Sequence, residues 1–259
     1  MENPFLLNGY STENEFCNRN SETKRLHANL ENGRASTLFS LRKMGKTGLI
    51  SHLFHLNSQQ KSIYIDLFPS RNISEMAEFL IKGILPVIEK KPEKLLRRVR
   101  EILSRISPAM EIDPLSGLPS FSIKFAGEDA GNRSLDELFH WLAKWDGEIW
   151  LALDEFQQIV QYPEKGTEAR LRSLLQFCTC IKPVFLGSQQ DRILSMFSDY
   201  GRPFYQSTDI IKLNPISESD YIPFIQKHME AGKREVPAAI IEEWYHRMKG
   251  HTSGMCSTQ

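Results

Sequence analysis

Charge of one sign is what this sequence lacks: 32 Lys and Arg balance 32 Asp and Glu, for a formal net charge of zero. No global field draws such a chain to nucleic acid or to an anionic membrane, so any contact of that kind has to be local. Cysteine is scarce. Cys17, Cys178, Cys180 and Cys256 form no C-x-x-C pair and no zinc-ligand spacing, which excludes a disulfide framework and reads as reduced thiols. No apolar run approaches the ~18 residues of a membrane span. The opening Met1-Glu2-Asn3-Pro4-Phe5 has neither the basic nor the apolar region of a signal peptide. A soluble, cytoplasmic protein with no membrane partner is expected. Repeats and low-complexity segments are also absent. What the 259 residues do hold is apolar side chains, 41% of the total. That suffices for one large domain, or one domain and part of a second.

The most informative stretch runs from Ser36 to Leu53. Thr37-Leu38-Phe39 is β-prone, Ser40 to Met44 is a loop, and Gly45-Lys46-Thr47 leads into an apolar helix with Leu49, Ile50, Leu53 and Phe54. Strand, loop, G-K-T and helix together are the setting of a phosphate-binding loop. Its chemistry needs backbone N–H groups curving around phosphates at the positive end of a helix. The candidate nucleotide-binding set is therefore Ser40, Arg42, Lys43, Met44, Gly45, Lys46, Thr47 and Gly48. Gly45 lets the backbone approach closely, Lys46 reaches the β- and γ-phosphates, and the Thr47 hydroxyl ligates Mg²⁺. Ser40 stands where the pattern G-x-x-x-x-G-K-[ST] has its first glycine. A positive φ there would cost serine a steric penalty that glycine avoids.

Glu148 to Phe156 reads E-I-W-L-A-L-D-E-F, an apolar strand closed by two carboxylates. Such a run suits a central parallel strand buried on both faces. Asp154 would hold the Mg²⁺ shell, and Glu155 would take the proton of the attacking water as general base. A further strand, Pro183 to Leu186, ends in Gly187-Ser188. Ligands in open α/β sheets bind beyond the carboxyl ends of strands, which offers Ser188 the γ-phosphate or its water. A helix N-cap is an equal claim on the same serine.

Lys61 to Phe68 reads as another buried strand. Asn72 and Glu75 have capping-box spacing and open a helix that Gly83 and Pro86 bend or end. A helix from Pro92 exposes Lys94, Arg97, Arg98, Arg100 and Arg105. They read either as a basic patch for nucleic acid or an acidic partner or as a solvated helix face, and the absence of interleaved aromatics favours the solvated face. Met110–Ile112 and Phe121–Phe125 flank a turn and suggest a hairpin. Ser134 with Glu137 marks a second capping box and a helix start. Glu168 to Cys180 is a helix, and Asp209 to Leu213 a last strand. Ser217–His228 and Pro237–Met248 are two closing helices. This divides the chain into a nucleotide-binding domain over 1–215 and a helical unit over 216–259.

Taken in order, these motifs resemble the archaeal-type ATPases of the AAA+/STAND group of P-loop NTPases. The marks are F-C-N-R-N-S-E, L-R-K-M-G-K-T-G-L-I, Y-I-D-L, L-A-L-D-E-F-Q, L-R-S-L-L-Q, F-L-G-S-Q and M-F-S-D-Y-G-R-P-F-Y. The resemblance implies an α/β fold whose parallel sheet has helices on both faces and an extra strand between the P-loop and Walker B strands. It implies ATP and Mg²⁺ as ligands and slow ATP hydrolysis that drives a switch toward a protein partner or self-association. It places Phe16 and Arg19 beside the adenine and a sensor role on Ser188. It assigns no arginine finger: Arg170, Arg172, Arg192 and Arg202 are candidates, and an arginine supplied in trans by a neighbouring subunit or partner is the alternative. ATP rather than GTP follows from the resemblance, and no Asn-Lys-x-Asp guanine-reading motif is present. The family's other members include DNA-associated ATPases, and a sensor that binds without hydrolysing is a further alternative. The lid motif, usually Gly-x-Pro, reads Gly250-His251-Thr252 close to the end of the chain. A bacterial member with an incomplete lid is expected.

Overall fold

The structure, a computed structural model, describes residues 16–89, 94, 97, 108–112, 119–123, 130–232 and 236–248. Five strands form one sheet: β1 (Ser36–Phe39), β2 (Lys61–Asp66), β5 (Ile149–Asp154), β6 (Ile181–Gly187) and β7 (Asp209–Lys212). Their order is β2-β5-β6-β1-β7, and every pairing is parallel. β6 thus lies between the P-loop strand β1 and the carboxylate-ended strand β5, as the resemblance implied. The hairpin expectation also holds: β3 (Pro108–Ile112) and β4 (Pro119–Ile123) pair antiparallel, apart from the main sheet.

Helices cover both faces of the sheet. They are α1 (Asn20–Glu31), α2 (Lys46–Leu56), α3 (Ile73–Ile88), α4 (Ala130–Leu142), α5 (Thr167–Phe177), α6 (Gln190–Ser198), α7 (Glu218–Ala231) and α8 (Ala238–Arg247). Alternation along β5 shows how they are held, because successive side chains point to opposite faces. Ile149, Leu151 and Leu153 enter a large core with α3, α4, α5 and α6, while Trp150 and Ala152 enter a second core with α1 and α2. All six β5 residues are buried. This is the continuous apolar strand that a doubly covered parallel sheet requires.

Two local readings need correction. α3 is neither bent short nor ended by Gly83 and Pro86 but runs on to Ile88. A Cβ at position 83 would come within 2.8 Å of Ile65 Cδ1, so Gly83 is the point where helix and β2 close on each other. Pro86 falls in the last turn, where little of the helix remains to be broken. The helix marked by Ser134 starts at Ala130 instead. Ser134 is buried inside it with no partner for its hydroxyl. Gly131 packs so tightly on Ser74 of α3 that a Cβ would come within 2.5 Å of its Oγ. The Asn72 cap is present: its side chain accepts from Glu75 N–H at 2.9 Å.

Lys94 and Arg97 are helical and exposed; the remainder of that basic helix, and Gly250 to Thr252, lie outside the described residues. α7 and α8 pack on each other around a small core of their own, made of Cys17, Ile216, Tyr221, Ile225 and Ile241. Among the described residues no helix is long and apolar enough to cross a membrane.

Candidate functional site

The carboxyl ends of β1, β5 and β6 lie side by side, since Phe39 pairs with Gly187 and Leu153 with Phe185. The chain leaves them as Ser40, Glu155 and Ser188. Register therefore gathers at one rim three segments more than 30 residues apart in sequence.

The loop after β1 turns through two left-handed positions, Lys43 (φ 64°) and Gly45 (φ 84°). Gly45 is the one that a side chain would strain, at the entry to α2. Ser40 is not among the positive-φ residues, so the steric cost that its substitution for glycine suggested does not arise. Instead its hydroxyl donates to Leu41 O at 2.9 Å and accepts from Lys46 Nζ at 3.3 Å. Lys46 Nζ also donates to Leu41 O at 3.4 Å. Lys46 is almost wholly buried and makes no ion pair among the described residues. Burial pushes its pKa down, while the charges of Asp154 and Glu155 pull it back up. A desolvated ammonium lodged against a loop of backbone N–H groups is suited to an anion. Met44 buries its side chain in the core and leaves only its backbone at the loop. A Cβ at Gly48 would meet nothing within 4 Å, so this glycine is not required by packing.

Tyr64 of β2 is the residue at this site that the sequence reading missed. Its hydroxyl donates to Asp154 Oδ2 and lies 3.2 Å from Thr47 Oγ1. The second Asp154 oxygen, Oδ1, accepts from the Glu155 backbone N–H at 2.8 Å. Thr47 and Asp154, the two groups assigned to Mg²⁺, are thus brought together through one phenol. One carboxylate and one hydroxyl suit Mg²⁺, which takes few protein ligands. No group of three or more His, Cys, Asp or Glu with metal-binding geometry occurs among the described residues.

Glu155 adopts a left-handed backbone (φ 49°, ψ 40°) that swings its side chain away from Asp154 and toward β6. There Ser188 Oγ donates to Glu155 Oε2 at 2.9 Å, and Gln157 Nε2 donates to the same oxygen. Of the two roles open to Ser188, the cap is not realised: α6 begins at Gln190 with no side-chain cap. Gln157 was also missed. Its Oε1 is buried without a partner, and a Cβ on Gly187 would come within 2.6 Å of it. Arg42 Nε lies 3.5 Å from Ser188 Oγ, with its guanidinium over the exposed Phe68 ring.

Phe16 and Arg19 reach the site from the other side. Phe16 stacks on His52 of α2 with ring centroids 3.9 Å apart. Arg19 is buried, donates to Met44 O at 3.3 Å and pairs with Glu22 at 3.1 Å. Between them Cys17 and Asn18 contact Asp220 of α7. Among the arginine-finger candidates, Arg170 pairs with Asp136 and Arg202 with Glu168. Arg172 lines a separate cavity of about 320 Å³ at the amino ends of β1 and β6.

No family model and no curated protein matches the chain. Solved structures do match. The Walker-type ATPase of Pyrococcus abyssi is similar at 21% identity over 98% of this chain and 69% of that one, with a TM-score of 0.63. The ORC2 protein of Aeropyrum pernix, in ADPNP–ADP complexes, is similar at 14% identity over 82% of this chain and 52% of that one (TM-score 0.53). The ORC1 protein of the same organism, in complex with DNA, is similar at 14% identity over 93% and 58% (TM-score 0.54). This chain therefore spans only part of each of them. The fold is that of the α/β P-loop NTPases.

Proposed function

We propose that the chain binds Mg-ATP at the rim formed by β1, β5 and β6 and hydrolyses it slowly. The observation that supports this best is the buried Lys46, which makes no ion pair among the described residues, beside a carboxylate pair whose members are held in different directions. In this reading Lys46 and the N–H groups from Ser40 to Gly48 take the β- and γ-phosphates. Thr47 and Asp154 hold Mg²⁺, which would neutralise charge on the phosphoryl oxygens. Glu155, aimed by Ser188 and Gln157, accepts the proton as water oxygen attacks phosphorus and the bond to the ADP oxygen breaks. Phe16 and Arg19 bound the base side. ATP as the nucleotide is supported by the ORC2 neighbour, solved with ADPNP and ADP.

Residues 1–215 would form the ATPase domain and 216–259 the start of a lid. Residues 17–19 touch both the P-loop and α7, a route by which nucleotide state would reach the lid and a protein partner or a second copy. Calorimetry with Mg-ATP tests the site: Lys46→Ala should abolish binding, and unchanged affinity would remove the assignment. Glu155→Gln should keep affinity and stop turnover; a rate equal to wild type would take Glu155 out of the reaction.

A second reading, a DNA-associated ATPase, is supported by the ORC1 neighbour in complex with DNA and by exposed Lys94 and Arg97. It requires duplex binding that weakens steeply with salt. Salt-insensitive or absent binding would leave the protein-partner reading.

A further inference from the structure

We propose that Tyr64 is a positioning residue that latches the metal end of the site: its hydroxyl holds Asp154 beside Thr47 until Mg²⁺ displaces it. The inference rests on the Mg-ATP reading above and goes beyond it, because no motif for phosphate or metal binding includes this position.

Register places the residue. Tyr64 pairs with Ala152 on the neighbouring strand, two residues before Asp154. Two residues of strand rise about 6.6 Å, close to the reach of a tyrosine side chain. Tyr64, Ala152 and Asp154 all lie on the sheet face that carries α1 and α2, whereas Ile63 and Ile65 face the other core. The phenol therefore runs along β5 to the rim, packed against the core on that face. Its end meets the two groups assigned to Mg²⁺, donating to Asp154 and lying 3.2 Å from Thr47.

Consider Asp154 without the metal. One oxygen is taken by the Glu155 N–H and the other by Tyr64. A carboxylate held this way is assembled and desolvated, which favours order, but its outer oxygen is already engaged. A cation entering between Asp154 and Thr47 has to exchange that charge-assisted hydrogen bond for its own interaction. Removing the hydroxyl while keeping the ring should therefore make Mg²⁺ bind more tightly, whereas loss of a merely structural contact would weaken it.

The test is a Mg²⁺ titration of a fluorescent ATP analogue on the full chain, comparing wild type with Tyr64→Phe. Affinity without Mg²⁺, measured in EDTA, is recorded in the same series. The expected result is a midpoint for Mg²⁺ lowered roughly tenfold in Tyr64→Phe, equivalent to about 1.4 kcal/mol. Mg²⁺-free affinity should move less than twofold. Asp154→Asn, which removes the charge itself, should raise the midpoint in either background. A midpoint unchanged or raised in Tyr64→Phe would overturn the latch while leaving Mg-ATP binding intact. Wild-type binding that ignores Mg²⁺ would overturn both the latch and the metal assignment beneath it.

Discussion

Glu155 and Phe156 are consecutive, yet they belong to two opposite kinds of structure. Glu155 sits at a polar rim where the backbone is forced: of five non-glycine residues with positive φ among those described, four (Asn18, Arg19, Lys43 and Glu155) border the candidate site. Phe156 turns inward to a cluster with Phe185, Phe197 and Phe204, whose ring centroids lie 4.4–6.0 Å from its own. All four rings are fully buried. Among the described residues the rim contains strained dihedrals, an ammonium without an ion pair and an unpartnered amide oxygen, each of which costs stability. The aromatic cluster supplies apolar burial and ring contacts instead. Strain one residue away from a rigid cluster is tolerable because that cluster fixes where the strained residue begins.

The comparison can be broken most severely from the apolar side. Phe185→Ala should cost about 3–5 kcal/mol by cavity formation, read as a lower urea midpoint at constant m. A loss under 1 kcal/mol would mean that the cluster does not anchor the rim. Ile241→Ala, in the small core under α7 and α8, should cost about 2–3 kcal/mol. This loss should appear as faster hydrogen exchange in those helices alone; equal acceleration in β5 would show that the two cores unfold as one.

A smaller effect is expected at Asp209, at the start of edge strand β7. It accepts two hydrogen bonds from Arg25 (2.6 and 2.8 Å) and one from Asn29 (2.7 Å). The hydrogen bonds from Arg25, chiefly, hold its carboxyl below its ordinary value. With the folded pKa depressed, the stabilisation is complete above the unfolded value and is lost as pH falls through the folded one. Asp209→Asn should cost about 1 kcal/mol at pH 7 and flatten the decline of wild-type stability below about pH 4. Parallel pH curves for the two proteins would contradict this. Smallest of all, Lys43→Gly should raise stability by about 0.5 kcal/mol, because relief of a left-handed lysine slightly exceeds the entropy cost of glycine. A clear loss would mean that the Lys43 side chain contributes more than its backbone costs.

Much of this division was legible in the sequence, and for physical reasons. The apolar run Ile149 to Leu153 read as a strand buried on both faces, as β5 is, and G-K-T after a β-prone segment marked the loop-to-helix turn that follows β1. Tyr64 was not legible, because its importance depends on β2 lying beside β5 in a register that neither segment encodes alone. Gly83 looked like a helix breaker, yet its role is set by Ile65 across the helix–sheet interface. Ser134 had the spacing of a cap, but it lies inside a helix that already includes Ala130 and Gly131. Ser40 is the converse case. A pattern made it look costly, while the actual backbone leaves it unstrained and gives its hydroxyl two hydrogen bonds.

The sheet order also has a consequence for synthesis. β1 finds its two neighbours only in β6 and β7, and its pairing with β6 joins residues about 150 positions apart. At roughly 5–20 residues per second, a ribosome needs about 7–30 s to supply that partner. Throughout this interval the P-loop has no neighbouring strand to fix its entry point. Nucleotide should therefore assist only the late part of folding, after β6 has emerged, and a nascent chain halted before Ile181 should gain no protection from ATP.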